Sequence, residues 1–465
     1  MIAYSIIQKS HLEGALRLDA EYYQPEYLSI FSKIASLAHT SLKSYAEKVF
    51  SGPFGSTLKS ESYRESGIPF IRISDISDLF IEKDGLVFIS PEEHKRIYST
   101  HLNTGDIVLS KIGTIGRLSV VSDDFGEVNI SENNIGIRLS KCSKEEKIAL
   151  LFFLLSKYGQ GQIIRKASGN IQLKLNITDI ESVQVPIFDK ATLKELNDIY
   201  NDFLLRNTES QSFYSQAENL LLEELGLKNF SARGGSAFGG ESEDGLWNVV
   251  KLLEVQKANR IDAEYFQNKY NKIVSLIRAK KGIKLGELVS IKKGIEPGAE
   301  EYQDDGKLFI RVSSLSKQGI TDKDQKYLSD KLYQELKKDF EPKTGEILLT
   351  KDATPGIAYV LKESLEGIIA GGVLRLRVKE DVNAEYLALC INSIVGQAQA
   401  ERDAGGSIIA HWKPEQIKNI LIPILPKSIQ QKIADFVRQS HEARRKAKKL
   451  LESAKQKVEK LIEEK

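Results

Sequence analysis

Residues 17–27, RLDAEYYQPEY, return as RIDAEYFQNKY at residues 260–270, the first of five blocks that recur in the same order along the chain. GIPFIRISDI (67–76) is answered by GKLFIRVSSL (306–315), and TGDIVLSK (104–111) by TGEILLTK (344–351). SGNI (168–171) is answered by GGSI (405–408), and VPI (185–187) by IPI (422–424). The offset drifts only from 243 to 237, as small deletions would cause. Chance supplies one such match, hardly five in order. The chain is therefore a tandem duplication of a unit near 240 residues, and whatever one copy folds into the other must approximate.

Each copy ends in a stretch with helical periodicity. Leu193, Leu196, Tyr200, Phe203, Asn207, Ser210, Tyr214, Ala217 and Leu221 follow at spacings of three and four, which puts a seam on one helix face. Ile433, Val437, Ser440, Arg444, Ala447, Leu451, Ala454, Val458 and Leu461 repeat that spacing near the end of the chain. One such stripe is equally explained by a helix packing on its own domain. Two in matched register favour a pair.

Before its long helix, each copy has one coarse plan. An aromatic and acidic opening segment leads to short strands such as PFIRISDI, DIVLSKI and NIGIRLS, whose alternation predicts half-buried strands. A helix is expected over residues 144–167 in the first copy and 383–404 in the second, then a VPIF or LIPIL strand. The result is an α+β lobe, twice. Residues 229–244, NFSARGGSAFGGESED, are rich in Gly and Ser with no aliphatic side chain larger than Ala, and read as a flexible connector.

Composition narrows the function classes. At 465 residues the chain exceeds one core, and its 41% hydrophobic content is that of a soluble globular protein. No apolar run approaches the roughly 20 residues that span a bilayer. The start, MIAYSIIQKSHLEG, lacks the basic and apolar regions of a secretory signal, so a cytoplasmic protein is expected. Cys142 and Cys390 lie far apart, which indicates neither a disulfide framework nor a zinc site. A net charge of +2 is modest for a nucleic-acid binder but leaves room for local basic faces. The most basic stretch, RRKAKK at 444–449, reads more readily as a solvated helix face.

Catalytic motifs are missing. The sequence has no NPPY or DPPY tetrapeptide, no GxxxxGK[ST] phosphate loop, no HExxH and no GxSxG. Glu93 and Lys95 form an E-x-K, but after Pro91 this reads as the start of a surface helix, and Asp123 and Asp124 sit in a turn-like VSDDFG. We assign no catalytic residue and no metal ligand. What the copies offer are polar loops at equivalent places: SGPFGSTLKS (51–60) against KKGIEPG (292–298), SKIGTIGR (110–117) against TKDATPGI (350–357), and SGNIQLKLN (168–176) against GGSIIAHWK (405–413). A repeated scaffold with diverged loops is expected of two modules that read different targets, and drift in unconstrained surface loops gives the same pattern.

GPFGS followed by GIPFIRISDIS, GDIVLSKIGTIGR, SGNIQLKLN and VPIF before a long helix, all present twice in diverged form, resembles the specificity subunit of type I restriction-modification systems over essentially the full length. The resemblance implies a fold of two tandemly repeated α+β target recognition domains, separated by a pair of long helices that form an antiparallel coiled coil. The corresponding spans are 1–188 for the first recognition domain, 189–228 for the first helix, 229–246 for a linker, 247–425 for the second recognition domain and 426–465 for the second helix. It further implies a non-catalytic DNA-binding chain. Each lobe reads one half of a bipartite double-stranded target, and the helices set the gap. The implied partners are two copies of a DNA methyltransferase subunit and ATP-dependent restriction and translocase subunits. S-adenosylmethionine, ATP and Mg2+ are then cofactors of those partners, with none bound by this chain. A coiled-coil scaffold whose lobes bind protein is the rival reading.

Candidate DNA contacts follow from the loops: Ser56, Lys59, Lys111, Arg117, Asn170 and Lys174 in the first lobe, and Lys292, Lys293, Lys351, His411 and Lys413 in the second. Arg72 and Arg311 hold matched strand positions, and for them a base contact and a structural ion pair stand level. The helix seam is expected at Leu196, Tyr200, Phe203, Tyr214 and Leu221 on one helix, and at Ile433, Val437, Leu451 and Val458 on the other. Where the second copy has KDATPG in place of KIGTIG, the resemblance implies a different target sequence.

Overall fold

The computed structural model describes residues 5–10, 12, 17–53, 58–77, 79–83, 85–169, 173–228, 249–321, 325–379, 382–404 and 410–464. The connector at 229–244 lies outside the described residues. The chain forms two compact units, 1–205 with 446–465 and 206–445, so each long helix contributes a segment to both.

In the first unit, the five-stranded sheet runs in the order Lys48–Ser51, Asn134–Arg138, Ile107–Ser110, Leu118–Val120, Leu79–Phe80. A second sheet orders Val87–Ile89, Ile68–Ile71, Val128–Ile130 and His101–Leu102, with Ile68–Ile71 and Val128–Ile130 parallel. The second unit repeats this plan: Val289–Lys293, Val373–Val378, Ile347–Thr350 and Ala358–Val360 form one sheet. Lys326–Leu328, Lys307–Ile310 and Gly367–Ile369 form the other, with the same parallel pair.

The central strands are not half-buried as the alternation predicts. Ile107–Ser110 is buried at every position, and Asn134–Arg138 at all but the last. Both faces are covered: Ile107, Leu109, Ile135 and Ile137 join the helical core, while Val108 on the opposite face joins the second sheet with Ile71, Val128 and Ile130. Leu348 and Val373 likewise face the second sheet of their unit, and Ile347, Leu349, Leu374 and Leu376 face its helices. A sheet with two apolar neighbours loses its polar face.

The helix expected over 144–167 is two helices, Lys144–Leu155 and Lys157–Lys166. Ser156 ends the first by adopting extended backbone, and its hydroxyl caps the second by accepting from the Gly159 N–H. A Cβ at Gly159 would lie 2.2 Å from the Phe153 carbonyl oxygen, so the corner needs glycine. Ser393 and Gly396 make the same break between Ala384–Asn392 and Ile394–Asp403. Two glutamines that the sequence reading overlooked tie each corner down. Gln160 and Gln397 donate to Gly116 and Gly356, the glycines of the loops before them, and Gln162 and Gln399 bond the strands Gln184–Pro186 and Leu421–Ile422. The only trace of them in sequence is GQ-x-Q at an offset of 237.

The long helices are Lys190–Leu225 and Lys427–Glu463. In the first unit, Leu196, Tyr200 and Phe203 are buried with Ala447, Ala454 and Val458, Leu451 packs beside them, and Lys457 pairs with Glu195 at 2.9 Å. In the second, Ala217 and Leu221 are buried with Ile433 and Val437, Tyr214 packs beside them, and the Ser440 hydroxyl donates to the Ser210 carbonyl at 2.7 Å. Early positions of one helix thus meet late positions of the other, the order of an antiparallel pair. Arg444 is a correction to the expected seam. It is exposed, and Ala443 one residue earlier is buried, because a guanidinium would be costly to bury there. Near the end Ile462, not Leu461, is the fully buried position.

Candidate nucleic-acid interface

In each unit the same backbone hydrogen bonds gather three loops. The Lys111 N–H donates to the Asn133 carbonyl at 2.9 Å, and the Lys111 carbonyl accepts from the Leu175 N–H at 3.0 Å. Lys351 does the same with Gly372 at 2.9 Å and Trp412 at 2.8 Å. A bridge between Ile112 and Lys174 is matched by one between Asp352 and His411. The turn after each strand is closed alike, with the Ser110 or Thr350 hydroxyl donating at 2.5 Å to the carbonyl of Thr114 or Thr354. Gly52 and Gly294 bring a fourth segment in. A Cβ on either would stand 2.2 Å from a carbonyl oxygen, that of Ser131 or of Ala370, so the glycines serve close backbone approach.

On this common frame the side chains differ. In the first unit Lys111 donates from Nζ to the Ser51 hydroxyl at 3.2 Å, and Ser51 donates on to the Glu132 carbonyl at 3.0 Å. Lys174 is exposed at the loop edge, and Arg117 is half-buried after Gly116. In the second unit Lys351 is 12% exposed and bonds Asp352, whose other oxygen accepts from His411 Nδ1 at 2.8 Å. Burial would raise the Asp352 carboxyl, but the Lys351 and His411 hydrogen bonds outweigh it and hold the group below the usual carboxylate range. That bond leaves His411 Nε2 toward solvent on a ring that is 61% exposed. Lys413 stands exposed at the start of the helix Pro414–Asn419.

The other candidates fall around these clusters or away from them. Lys292 and Lys293 are exposed on Val289–Lys293, the strand that leads into Gly294, and Lys59 is exposed before Ser60–Ser62. Ser56 and Asn170 lie outside the described residues. Arg72 is not in a strand as expected but directly follows Ile68–Ile71, at the cap of the 3-10 turn Ile73–Asp75, and makes an ion pair: Nε and a terminal nitrogen donate to Asp75 at 3.1 and 3.0 Å, and that nitrogen also donates to the Gly85 carbonyl at 2.7 Å. The Asp75 hydrogen bond raises the guanidinium pKa further. Beside it opens a cleft of about 340 Å³ lined by Leu58, Tyr63, Phe70, Arg72 and Asn133. Arg311 holds the matched position with Ser314 where the first unit has Asp75, and its guanidinium lies 5.8 Å from the Tyr302 ring centre.

Each cluster presents cationic or donor-rich tips on a rigid backbone frame, the chemistry that meets phosphate oxygens and the acceptor edges of bases. Among the described residues no His, Cys, Asp and Glu group could hold a metal ion, and no helix is long and apolar enough to cross a membrane.

Comparison with known proteins bears on this arrangement. The model of the type I restriction modification DNA specificity domain matches twice, at residues 52–208 and 278–453. The specificity subunit of the type I restriction enzyme EcoBI from Escherichia coli is 25% identical over 209 residues, which is 42% of this chain and 42% of that protein. The chain thus spans under half the length of that relative in the match. Among solved structures, the type I restriction-modification S subunit from M. genitalium superposes with a TM-score of 0.37 at 13% identity, over 91% of this chain and 94% of that one. The HsdS subunit from Thermoanaerobacter tengcongensis gives 0.27 at 12%, over 93% and 94%. With both copies of the repeat matched and most of the sequence covered, the chain belongs to the type I restriction modification DNA specificity domain family.

Proposed function

We propose that this chain is the DNA-reading subunit of a type I restriction-modification complex, in which each unit reads one half of a bipartite double-stranded site. One observation carries the proposal: an identical backbone frame, built around Lys111 in one unit and Lys351 in the other, holds Lys174 at one station and His411 at its equivalent. A frame that is kept while its tips change suits two readers of different sequences. The chain itself performs no chemistry. Two methyltransferase subunits supply S-adenosylmethionine chemistry, restriction and translocase subunits supply ATP- and Mg2+-dependent cleavage, and the complex works in the cytoplasm. The helices, 36 and 37 residues long, give rods of about 54 Å at about 1.5 Å per residue. That length corresponds to about 16 base pairs, so the pair serves as a ruler for the gap between half-sites.

Mapping methylated bases in host DNA with and without the gene tests this. Loss of methylation at one bipartite motif is the expected result. An unchanged methylation map, together with pull-down of protein but not DNA, contradicts it and supports a protein-binding scaffold.

A further inference from the structure

We propose that Asn133 is a specificity-determining residue of the first unit, whose side-chain amide reads an adenine of that unit's half-site. The inference rests on the functional reading above and deepens it to one residue and one base.

Asn133 holds a station on the repeated frame. Its carbonyl accepts from the Lys111 N–H at 2.9 Å, and in the second unit the Gly372 carbonyl accepts from the Lys351 N–H at the same distance. The first unit thus presents a carboxamide where the second presents no side chain. The glycine suits its own surroundings, because a Cβ there would stand 2.8 Å from the Val312 side chain.

Backbone needs do not account for the asparagine. Turns favour Asn because it tolerates left-handed backbone and because its side chain bonds the chain nearby. The backbone at Asn133 is not left-handed. Among the described residues none hydrogen-bonds its carboxamide, although the residues beside it are paired: the Asn134 side chain donates to the Ile71 carbonyl at 2.8 Å, and Lys111 Nζ to the Ser51 hydroxyl at 3.2 Å. The half-exposed Asn133 amide is therefore held in place by its backbone and open to a ligand.

The surroundings indicate which ligand. Asn133 lines the cleft of about 340 Å³, together with Leu58, Tyr63 and Phe70. Leu58 and Phe70 are buried and make an apolar floor. In the second unit the Tyr302 hydroxyl, at the place of Tyr63, is taken up by Glu296, whereas no described residue takes up that of Tyr63. Arg72 is the only cation among the described residues lining the cleft, and its guanidinium is committed to Asp75 and the Gly85 carbonyl. A neutral amide in such a place suits a base edge better than a phosphate. In the major groove adenine alone sets a donor, N6, beside an acceptor, N7, which is the complement of one carboxamide. Guanine offers two acceptors there, cytosine a donor, and thymine an acceptor and a methyl group. Over an apolar floor, a wrong base leaves the amide unpaired and is rejected the more strongly.

The test uses the reconstituted complex and a duplex carrying the motif found by methylation mapping. Each adenine of the first half-site, on either strand, is replaced in turn by 7-deazaadenine, which lacks only the N7 acceptor. Fluorescence anisotropy should show the wild type losing affinity about fivefold at one of these adenines. Asn133→Gly installs the residue of the second unit, and should bind the plain and deaza duplexes within about twofold of each other while discriminating the second half-site as the wild type does. Asn133→Asp keeps the size of the side chain but offers only acceptors, and should move the preference at that position from adenine toward cytosine, whose N4 amine donates. If thermal melts show Asn133→Gly to be misfolded, the base preference of Asn133→Asp decides. A wild type indifferent to 7-deazaadenine at every position, or variants with the wild-type preference, overturns the inference and leaves the two-reader function in place. A uniform loss of affinity with the adenine preference intact also overturns it, because Asn133 would then serve the backbone alone. A wild-type complex that does not bind the mapped duplex overturns the functional reading as well.

Discussion

Lys174 and His411 occupy one station in two copies of the same frame, each bridged across its loop to the residue that follows the strand-end lysine. Lys174 is a donor with a permanent charge, whereas the His411 ring is oriented by Asp352, which takes up Nδ1 and leaves Nε2 to face outward. Exchanging the charge therefore has separable effects. Lys174→Ala should weaken binding to the first half-site, and if the amine meets a phosphate the slope of log affinity against log salt should shrink by about 1. His411→Ala should alter discrimination in the second half-site alone. Fluorescence anisotropy with duplexes mutated in one half at a time measures both.

Arg72 and Asp75 form an ion pair at 3.0 Å, one of the two roles that the sequence left level for this arginine. Asp75 is 2% exposed and accepts four hydrogen bonds, from the Arg72 backbone N–H, two Arg72 guanidinium nitrogens and the Ser74 hydroxyl. Asp75→Ala should cost about 1–2 kcal/mol in urea unfolding, discounted because Arg72 is a third exposed. Ser314→Ala, at the matched place in the second unit, should cost less than about 1 kcal/mol, since it removes a neutral hydroxyl.

His441 makes the second unit sensitive to acid. Burial, with Lys362 and Arg444 nearby, lowers its pKa from 6.5 to about 4, and Tyr214, Tyr359 and Asn392 line the same small cavity. The unfolded chain takes up a proton near pH 6.5 and the folded chain only near pH 4, so the unfolded state binds more protons between those values. Stability from this group is thus fully present above about pH 6.5 and falls as pH drops toward 4, by on the order of 2–3 kcal/mol. Lys362, lowered to about 8 chiefly by burial, titrates above that window. His441→Leu should flatten the difference in melting temperature between pH 7 and pH 4.5 relative to wild type, as read by calorimetry.

Gly52→Ala and Gly294→Ala should each destabilise their own unit by about 1–3 kcal/mol, because the new methyl must displace a carbonyl that lies 2.2 Å away. Hydrogen exchange should localise the loosening to the substituted unit. Protection lost equally in both units would contradict independent frames.

Much of the architecture was legible because a duplication reports itself: blocks such as RLDAEYY and TGDIVLSK mark equivalent positions without knowledge of their contacts. The seam could be read for the same reason, since Leu196, Tyr200 and Val458 repeat at helical spacing. Periodicity failed where a position near the period's edge had two candidates. Ala443 won over Arg444 on size and charge, and an apolar count alone could not choose. The corner at Ser156 escaped notice because an unbroken apolar run, IALLFFLL, continues helical appearance up to a residue whose hydroxyl ends it. The site was legible as loops but not as contacts. Lys351 reads as a free cation in sequence, yet Asp352 beside it folds back onto it, and only the tertiary bridge to His411 shows that the three act together.

We propose that each unit reads its own half-site. The most direct measurement replaces residues 1–186 with the corresponding segment of another specificity subunit and maps the bases methylated by the reconstituted complex. The expected result is a motif whose first half changes to that of the donor while its second half and the gap persist. A change in both halves, or in the gap, contradicts it.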